Sequence, residues 1–427
     1  MASPEFAEET PPPAPRSLNP FRVLAQYRNF RLFWSGQTIS LIGSWMQQVA
    51  VGWTALELSN DPLLVGLAAA AGTFPILLFS LPGGVVADRS EKLRVVRIAQ
   101  SLMLVEATAL WALAATGHLT IHWLLTLALF GGTLAAFEIP ARQSLIVELV
   151  NKEDVPAAIG LNSTGFNLAR VLGPSISAVV IAKGGVEWAF GLNALSYLAV
   201  LIGLAMIRLP ERRKFARHPA GSLAGMKEAL AYVWRTPPLP MLLLIASIFS
   251  LLGIPVLTLL PIVARDLLGV GPQGYGALMA CIGLGAVAGA LYIAATGGGA
   301  RRGHTLRMAS VVYPALLVSV SLVRQPFLVG ALLFCIGTAM IVNNALVNAL
   351  LQEIVPDELR GRVMSLYVML YIGASPVGSF LAGAVAKATS TAWAIGGAAA
   401  LMLLFALWVF RRHPGLSTDR PPVLSTL

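Results

Sequence analysis

Long, unbroken apolar runs recur along almost the whole chain, each parted from the next by a short polar or charged turn. The pattern predicts helices over Phe30–Leu56, Leu63–Val86, Leu93–Gly117, Trp123–Val147, Ala157–Ala182, Trp188–Leu209, Leu239–Ala264, Tyr275–Thr296, Leu306–Val323, Phe327–Leu351, Val363–Ala386 and Trp393–Phe410. Each is close to the ~20 residues that a helix needs to cross a hydrocarbon core of roughly 30 Å. The runs are continuous rather than alternating, which favours helices over the strands of a barrel, and a helix satisfies its own backbone inside lipid. The predicted class is an all-α membrane protein with about twelve transmembrane helices.

The longest polar connection, Arg208–Pro238, divides the runs into six and six. This predicts an N-terminal tail (1–29), a first six-helix half (30–210), a linker (211–238), a second half (239–410) and a C-terminal tail (411–427). The linker carries Glu211-Arg212-Arg213-Lys214, Arg217 and an amphipathic stretch, Leu223–Trp234. That stretch suits either a helix lying on anionic headgroups or a solvated tether. The halves share a local pattern: Ser144–Val150 precedes the fifth run and Ala349–Val355 the eleventh, about 205 residues later, each followed by an acidic turn. A parallel repeat of this kind suits a carrier whose site lies between its halves near mid-membrane.

Composition agrees: 56% of the 427 residues are hydrophobic and 12% charged, with a mean hydropathy of +0.75. The formal charge of +10 is a topology signal. With the N-terminus in the cytoplasm, about 25 Lys and Arg fall on that side and about four (Lys183, Arg265, Arg324, Lys387) outside, so both termini are expected to be cytoplasmic. Nucleic acid is therefore not an expected partner; the lipid bilayer is. Residues 1–29 lack the apolar stretch of a signal peptide, so no cleavage is expected. Cys281 and Cys335 lie in predicted helices, which argues against a disulfide framework or a zinc site. All five histidines lie in loops or at helix edges, and there is neither a nucleophile with its base nor a phosphate-binding Gly-Lys-Ser/Thr loop. No enzyme chemistry, cofactor or metal is expected.

The residues that stand out are polar groups in or beside apolar runs. The turn Leu81–Arg94 places Gly84, Asp88, Arg89 and Lys92 at the spacing Gly-x-x-x-Asp-Arg-x-x-Lys. The basic residues enforce topology and Asp88 suits a helix cap; Gly84, one turn earlier, admits a close neighbour. In the fifth run Ser163, Asn167, Arg170, Pro174 and Ser177 share a face. A mid-membrane Arg costs at least ~2.5 kcal/mol on insertion scales, so Arg170 must face protein or water. Two carboxylates are embedded, Glu106 in the third run and Glu138 in the fourth; hydrocarbon disfavours their charged form, which makes both proton-coupling candidates. Glu138 has Arg142 one turn away, so a static ion pair is the alternative. Gln47 and Gln48 in the first run, Asn167 in the fifth, Asn344 and Asn348 in the tenth and Tyr371 in the eleventh are cavity-lining candidates for an amphipathic or aromatic solute. Interhelical hydrogen bonding would explain the same residues.

The Gly84–Lys92 turn resembles the loop between helices 2 and 3 of the major facilitator superfamily of transporters, with Glu91 where the family has its second glycine. Further segments in order along the chain, Pro140–Leu145, Leu161–Ser163 with Asn167–Arg170, and Val355–Leu366, resemble the superfamily's enterobactin-exporter and drug-efflux branch. The resemblance implies two pseudo-symmetric six-helix halves, and a cytoplasmic latch in which Asp88 meets the start of helix 11, with Arg360 and Arg362, in the outward-open state. The stretch around Gly173-Pro174 resembles the helix-5 motif of superfamily antiporters, with Ala169, Ser177 and Ala178 in place of glycines. The superfamily places helix 4 beside the cavity, which favours Glu138 over Glu106, with Arg170 a third coupling candidate. It further implies an inner-membrane exporter of a small-molecule substrate, driven by protons and functional as a monomer. Uptake or facilitated diffusion of a polar metabolite, or a sensor or assembly role on the same fold, are the alternatives.

Overall fold

A computed structural model describes residues 21–208, 223–296 and 301–417. Most of residues 1–29, the cluster Glu211–Lys214 with Arg217, residues 297–300, and 418–427 lie outside it. The order is α1 (Arg22–Gln26), α2 (Arg28–Ser59), α3 (Pro62–Arg89), α4 (Lys92–Ala115), α5 (Ile121–Glu148), α6 (Val155–Gly184), α7 (Val186–Met206), α8 (Leu223–Arg235), α9 (Leu239–Gly253), α10 (Pro255–Ile262), α11 (Pro272–Thr296), α12 (Arg302–Leu322), α13 (Pro326–Ile354), α14 (Asp357–Ala388) and α15 (Thr391–Arg412). Pro255 splits the seventh predicted span into α9 and α10, which run on into a π-helical turn, Val263–Leu267.

Among the described residues, eleven spans are long and apolar enough to cross a bilayer, by length and composition. The twelfth is α2, whose Gln37, Thr38, Ser40, Ser44, Gln47 and Gln48 lower its hydropathy. At 32 residues and ~1.5 Å per residue it is long enough to span. Its Gln37, Thr38 and Ser40 are buried as α2 packs on α6 and α7, as the cost of polar groups in hydrocarbon requires.

The turns are capped by their own sequences. Asn60, in the left-handed region at φ 49°, ends α2. Asp61 accepts the Leu63 N–H at 2.9 Å to start α3, and Ser390 caps α15 through Trp393 N–H. These follow the usual preference for short polar side chains at N-caps. Trp123, Trp188 and Trp393 are exposed at helix ends, where amphipathic rings sit at a membrane interface.

In the first half α3 packs on α5, α2 on α6 and α7, and α4 on α5 and α7. In the second, α11 packs on α13, α12 on α13 and α15, and α14 on α9. Two long contacts join the halves, α3 with α14 and α6 with α11. We call the end carrying Asp88, Arg94 and α8 the basic end and the end carrying Asp61 and Lys387 the far end. At the basic end α1 and Tyr27 dock on the α5–α6 turn, Tyr27 donating to Asp154 at 2.7 Å. Burial and the Asp154 carboxylate raise the Tyr27 pKa above the ordinary phenol value. The α8 helix buries Ala229 and Val233, exposes Leu230 and Trp234, and packs on α14.

Candidate functional site

The charges beside the turn between α3 and α4 are engaged within their own half. Lys92 pairs with Glu148 at the end of α5, and Arg97 donates to the Leu204 carbonyl near the end of α7. Cations there complement the negative helix end. Asp88 and Arg89 are exposed and Asp88 makes no hydrogen bond or ion pair among the described residues. Nothing lies within 4 Å of where a Cβ would stand on Gly84; Gly83 is the close-packed glycine, against the Phe137 Cα of α5 at 3.3 Å. The two arginines at the start of α14 are engaged elsewhere. Arg360 donates to the Gln352 carbonyl at 3.1 Å, closing the end of α13, and Arg362 binds Glu228 of α8 at 2.5 Å. In this conformation the structure does not bring Asp88, Arg360 and Arg362 together.

The far end is closed. Across the halves, Lys387 of α14 binds Asp61 at 2.5 Å and Arg265 donates to Asn60. Lys387 and the α3 backbone hold the Asp61 carboxyl below the usual carboxylate range. A Cβ on Gly66 would stand 3.0 Å from the Gly383 Cα, and one on Gly383 would stand 3.1 Å from the Gly66 Cα. These two glycines let α3 and α14 touch backbone to backbone. Between the Arg265–Asn60 contact and mid-membrane, Trp53 stacks on Tyr275 with centroids 6.0 Å apart.

The embedded carboxylates have different surroundings. Arg142 donates through Nε to Glu138 at 2.9 and 3.1 Å, and Gln100 adds a bond at 3.1 Å, all buried between α4 and α5. Among the described residues Glu106 pairs with no cation; the Gln47 amide donates to its two oxygens at 3.1 and 3.3 Å. Asn193 of α7 in turn donates to Gln47 Oε1 at 2.6 Å, and Ser196 donates to Asn193. Gln47 is thus committed to a network among α2, α4 and α7, whereas Gln48 beside it is exposed.

Arg170 sits midway along α6 where the halves cross. Pro174, four residues on, has no N–H to offer the Arg170 carbonyl, and that carbonyl lies 2.9 Å from where a Cβ would stand on Gly283 of α11. Gly173 packs within the half, against α2. The Arg170 guanidinium lies over the Trp45 ring, 5.8 Å from its centroid, and within electrostatic reach of the Tyr371 hydroxyl. Tyr371 stacks on Tyr367 with centroids 5.9 Å apart, and its backbone carbonyl accepts from Ser250. The Asn344 and Asn348 amides of α13 interact with these two phenols. Asn167, one turn before Arg170, bonds its own helix at Ser163 O. A separate groove of about 440 Å³ over α3, lined by Leu67, Phe74, Leu129, Val377 and Phe380 among others, is almost wholly apolar and suits lipid tails.

Twelve helices in two halves, joined through α3–α14 and α6–α11 around a mid-membrane polar seam, are the architecture of a carrier. Residues 17–419 match the family described as transmembrane secretion effector. The chain belongs to this branch of the major facilitator superfamily. It is a membrane transporter and not an enzyme. It is 26% identical over 404 residues to the enterobactin exporter EntS of Shigella flexneri, covering 92% of this chain and 95% of that protein. Over 368 residues it is 23% identical to macrolide efflux protein A of Streptococcus pyogenes, covering 84% and 90%. Among solved structures, a bacterial homologue of the human lysosomal transporter Spinster superposes with a TM-score of 0.71 at 14% identity, covering 94% of this chain and 99% of that one.

Sequence reading missed the far-end clasp and the Glu106–Gln47–Asn193 network. Lys387 and Asp61 carry a signal, as opposite charges among the few at the far end; Gly66 and Gly383 carry none, since several glycines here face nothing.

Proposed function

We propose that this transporter exports an amphipathic small molecule of drug or siderophore type across a bacterial inner membrane, in exchange for protons, by alternating access. The observation that carries the reading is the asymmetry of contact between the halves. The far end is clasped by Asp61–Lys387 and Gly66–Gly383, while Asp88 at the basic end stands apart from Arg360 and Arg362. With the basic end in the cytoplasm, this is the cytoplasm-facing half of the cycle, and the outward-facing half forms when Asp88 meets the start of α14. The positive end of that helix favours such an anion.

For the coupling residue we favour Glu106. Glu138 is neutralised in place by Arg142, so taking up a proton there would strand a buried cation. Glu106 carries no such partner, and Gln47 links it to Asn193 of α7, so a proton on Glu106 resets hydrogen bonds among α2, α4 and α7. The relatives' printed roles, enterobactin export and macrolide efflux, support the direction of transport.

The test is efflux from proteoliposomes of fixed orientation, with and without a pH gradient, across a panel of drugs and siderophores. Gradient-driven efflux supports the proposal. Flux that ignores the gradient would point to facilitated diffusion, and no flux under any gradient to a sensor or assembly role.

A further inference from the structure

We propose that Arg170 is the anchor for an organic anion, so that the substrate is a carboxylate- or phenolate-bearing aromatic amphiphile; this rests on the transporter reading above. An arginine cannot shed its charge inside a protein, and at mid-membrane that charge requires a counter-charge or water. The candidate internal partners are taken. Glu138 is bound by Arg142 and Gln100, and Glu106 by Gln47 in a network on α2, α4 and α7. Among the described residues Arg170 makes no hydrogen bond or ion pair; its guanidinium lies over the Trp45 ring, within electrostatic reach of the Tyr371 and Tyr313 hydroxyls.

The Trp45 ring leaves the chemistry open in a specific way. A ring facing a guanidinium stabilises the cation through its quadrupole, and among the described residues no N–H of this guanidinium makes a hydrogen bond. The fork remains free for a bidentate anion. The walls around it are aromatic and amide. Trp45 meets Phe166 edge to face at 5.9 Å, Tyr371 and Tyr367 are stacked, and Asn344 and Asn348 stand on the opposite half. An anion on an aromatic body fits both features, the charge on the fork and the ring among the rings. A cationic amphiphile fits neither, because it would bring a second positive charge to Arg170.

The two groups flanking the fork belong to different halves, Trp45 to α2 and Tyr371 to α14. An anion bound there touches both and is carried through the switch between them. Exporting one negative charge against one proton moves two units of positive charge inward. At about 2.3 kcal/mol per charge per 100 mV, membrane potential alone then drives efflux.

The experiment uses the full chain in nanodiscs, with empty nanodiscs as blank, and a matched set of probes: 1-naphthoate, the neutral 1-naphthamide and 1-naphthylmethylammonium. Calorimetry on the wild type should show naphthoate binding at least about tenfold more tightly than the other two. R170Q should lose that preference and bind naphthoate and naphthamide alike, and R170K should keep part of it. Unchanged naphthamide binding by R170Q establishes that the variant is folded. Equal binding of the three probes by the wild type, or full naphthoate preference in R170Q, overturns the anion anchor. Flux is a separate arm. Arg170-dependent binding without flux defeats the exporter reading and leaves the anion site standing. Proton-driven efflux of naphthylmethylammonium undiminished in R170Q defeats the anion site and leaves the exporter.

Discussion

Replacing the two embedded carboxylates by glutamine, one at a time, separates a structural ion pair from a coupling group. Glu138 and Arg142 are buried, with side-chain exposures of 5% and 11%. Glu138→Gln leaves the guanidinium buried without its counter-charge, and breaking such a pair typically costs ~3–5 kcal/mol. The glutamine carbonyl still accepts one bond from Arg142 or Gln100, so a loss near ~3 kcal/mol is expected, over a hundredfold in the folded-to-unfolded ratio. Glu106→Gln has the opposite balance. It forfeits one of the two bonds from Gln47, worth about 1 kcal/mol, and removes a charge with no cation beside it, so stability should stay within about 1 kcal/mol of wild type. The assay is denaturation in nanodiscs alongside proteoliposome efflux at a series of pH gradients. Glu106→Gln should remain folded and lose the pH dependence of flux. Glu138→Gln should be unstable, and Glu138→Gln with Arg142→Met should recover most of the loss, because removing both partners leaves no uncompensated charge. Two outcomes refute the reasoning: Glu138→Gln as stable as wild type, or proton-coupled efflux surviving in Glu106→Gln.

Other consequences follow from the two ends of the seam. Asp88→Asn should leave unfolding within about 0.5 kcal/mol of wild type, since among the described residues Asp88 makes no hydrogen bond or ion pair in this conformation, while cutting turnover; normal turnover would remove the latch. Lys387 lowers the Asp61 pKa, so the clasp's contribution is present above the ordinary carboxylate pKa and lost as the pH at the far end falls through the depressed value, below about 4. Spin-label distances across the far end should therefore be constant from pH 7 to 5 and lengthen below about 4, and Asp61→Asn should abolish that response. Gly66→Leu, whose Cβ alone would stand 2.6 Å from the Ser379 carbonyl and 3.0 Å from the Gly383 Cα, should hold the far end open, seen as labelling of far-end cysteines that wild type protects.

The helices were legible because hydrocarbon imposes one requirement on every span, about 20 apolar residues with the backbone satisfied internally. Even the outlier α2, too polar by composition, was readable from its length and turns. The charged turn at Gly84–Lys92 was legible for the same reason, since a dense cluster of charge is tolerated where the chain leaves the bilayer. Arg170, Glu106 and Glu138 could each be singled out as embedded charges. Their roles could not be separated, because a charge's meaning depends on what lies beside it. Glu138 and Arg142, one turn apart on α5, disclosed a pairing in the sequence. The link from Glu106 to Gln47 and Asn193 joins three helices, with separations of 59 and 146 residues, and no local pattern records it.

The sequence by itself therefore determined the class, the spans and the list of costly residues, since each follows from transfer of side chains between water and lipid. Tertiary structure alone decided which charges cancel, which glycines meet, and which end of the seam is shut. Those depend on distances between helices far apart in the chain. Asp88 stays free while Asp61 is clasped, although both lie at ends of α3, because α14 reaches only one of them in this conformation.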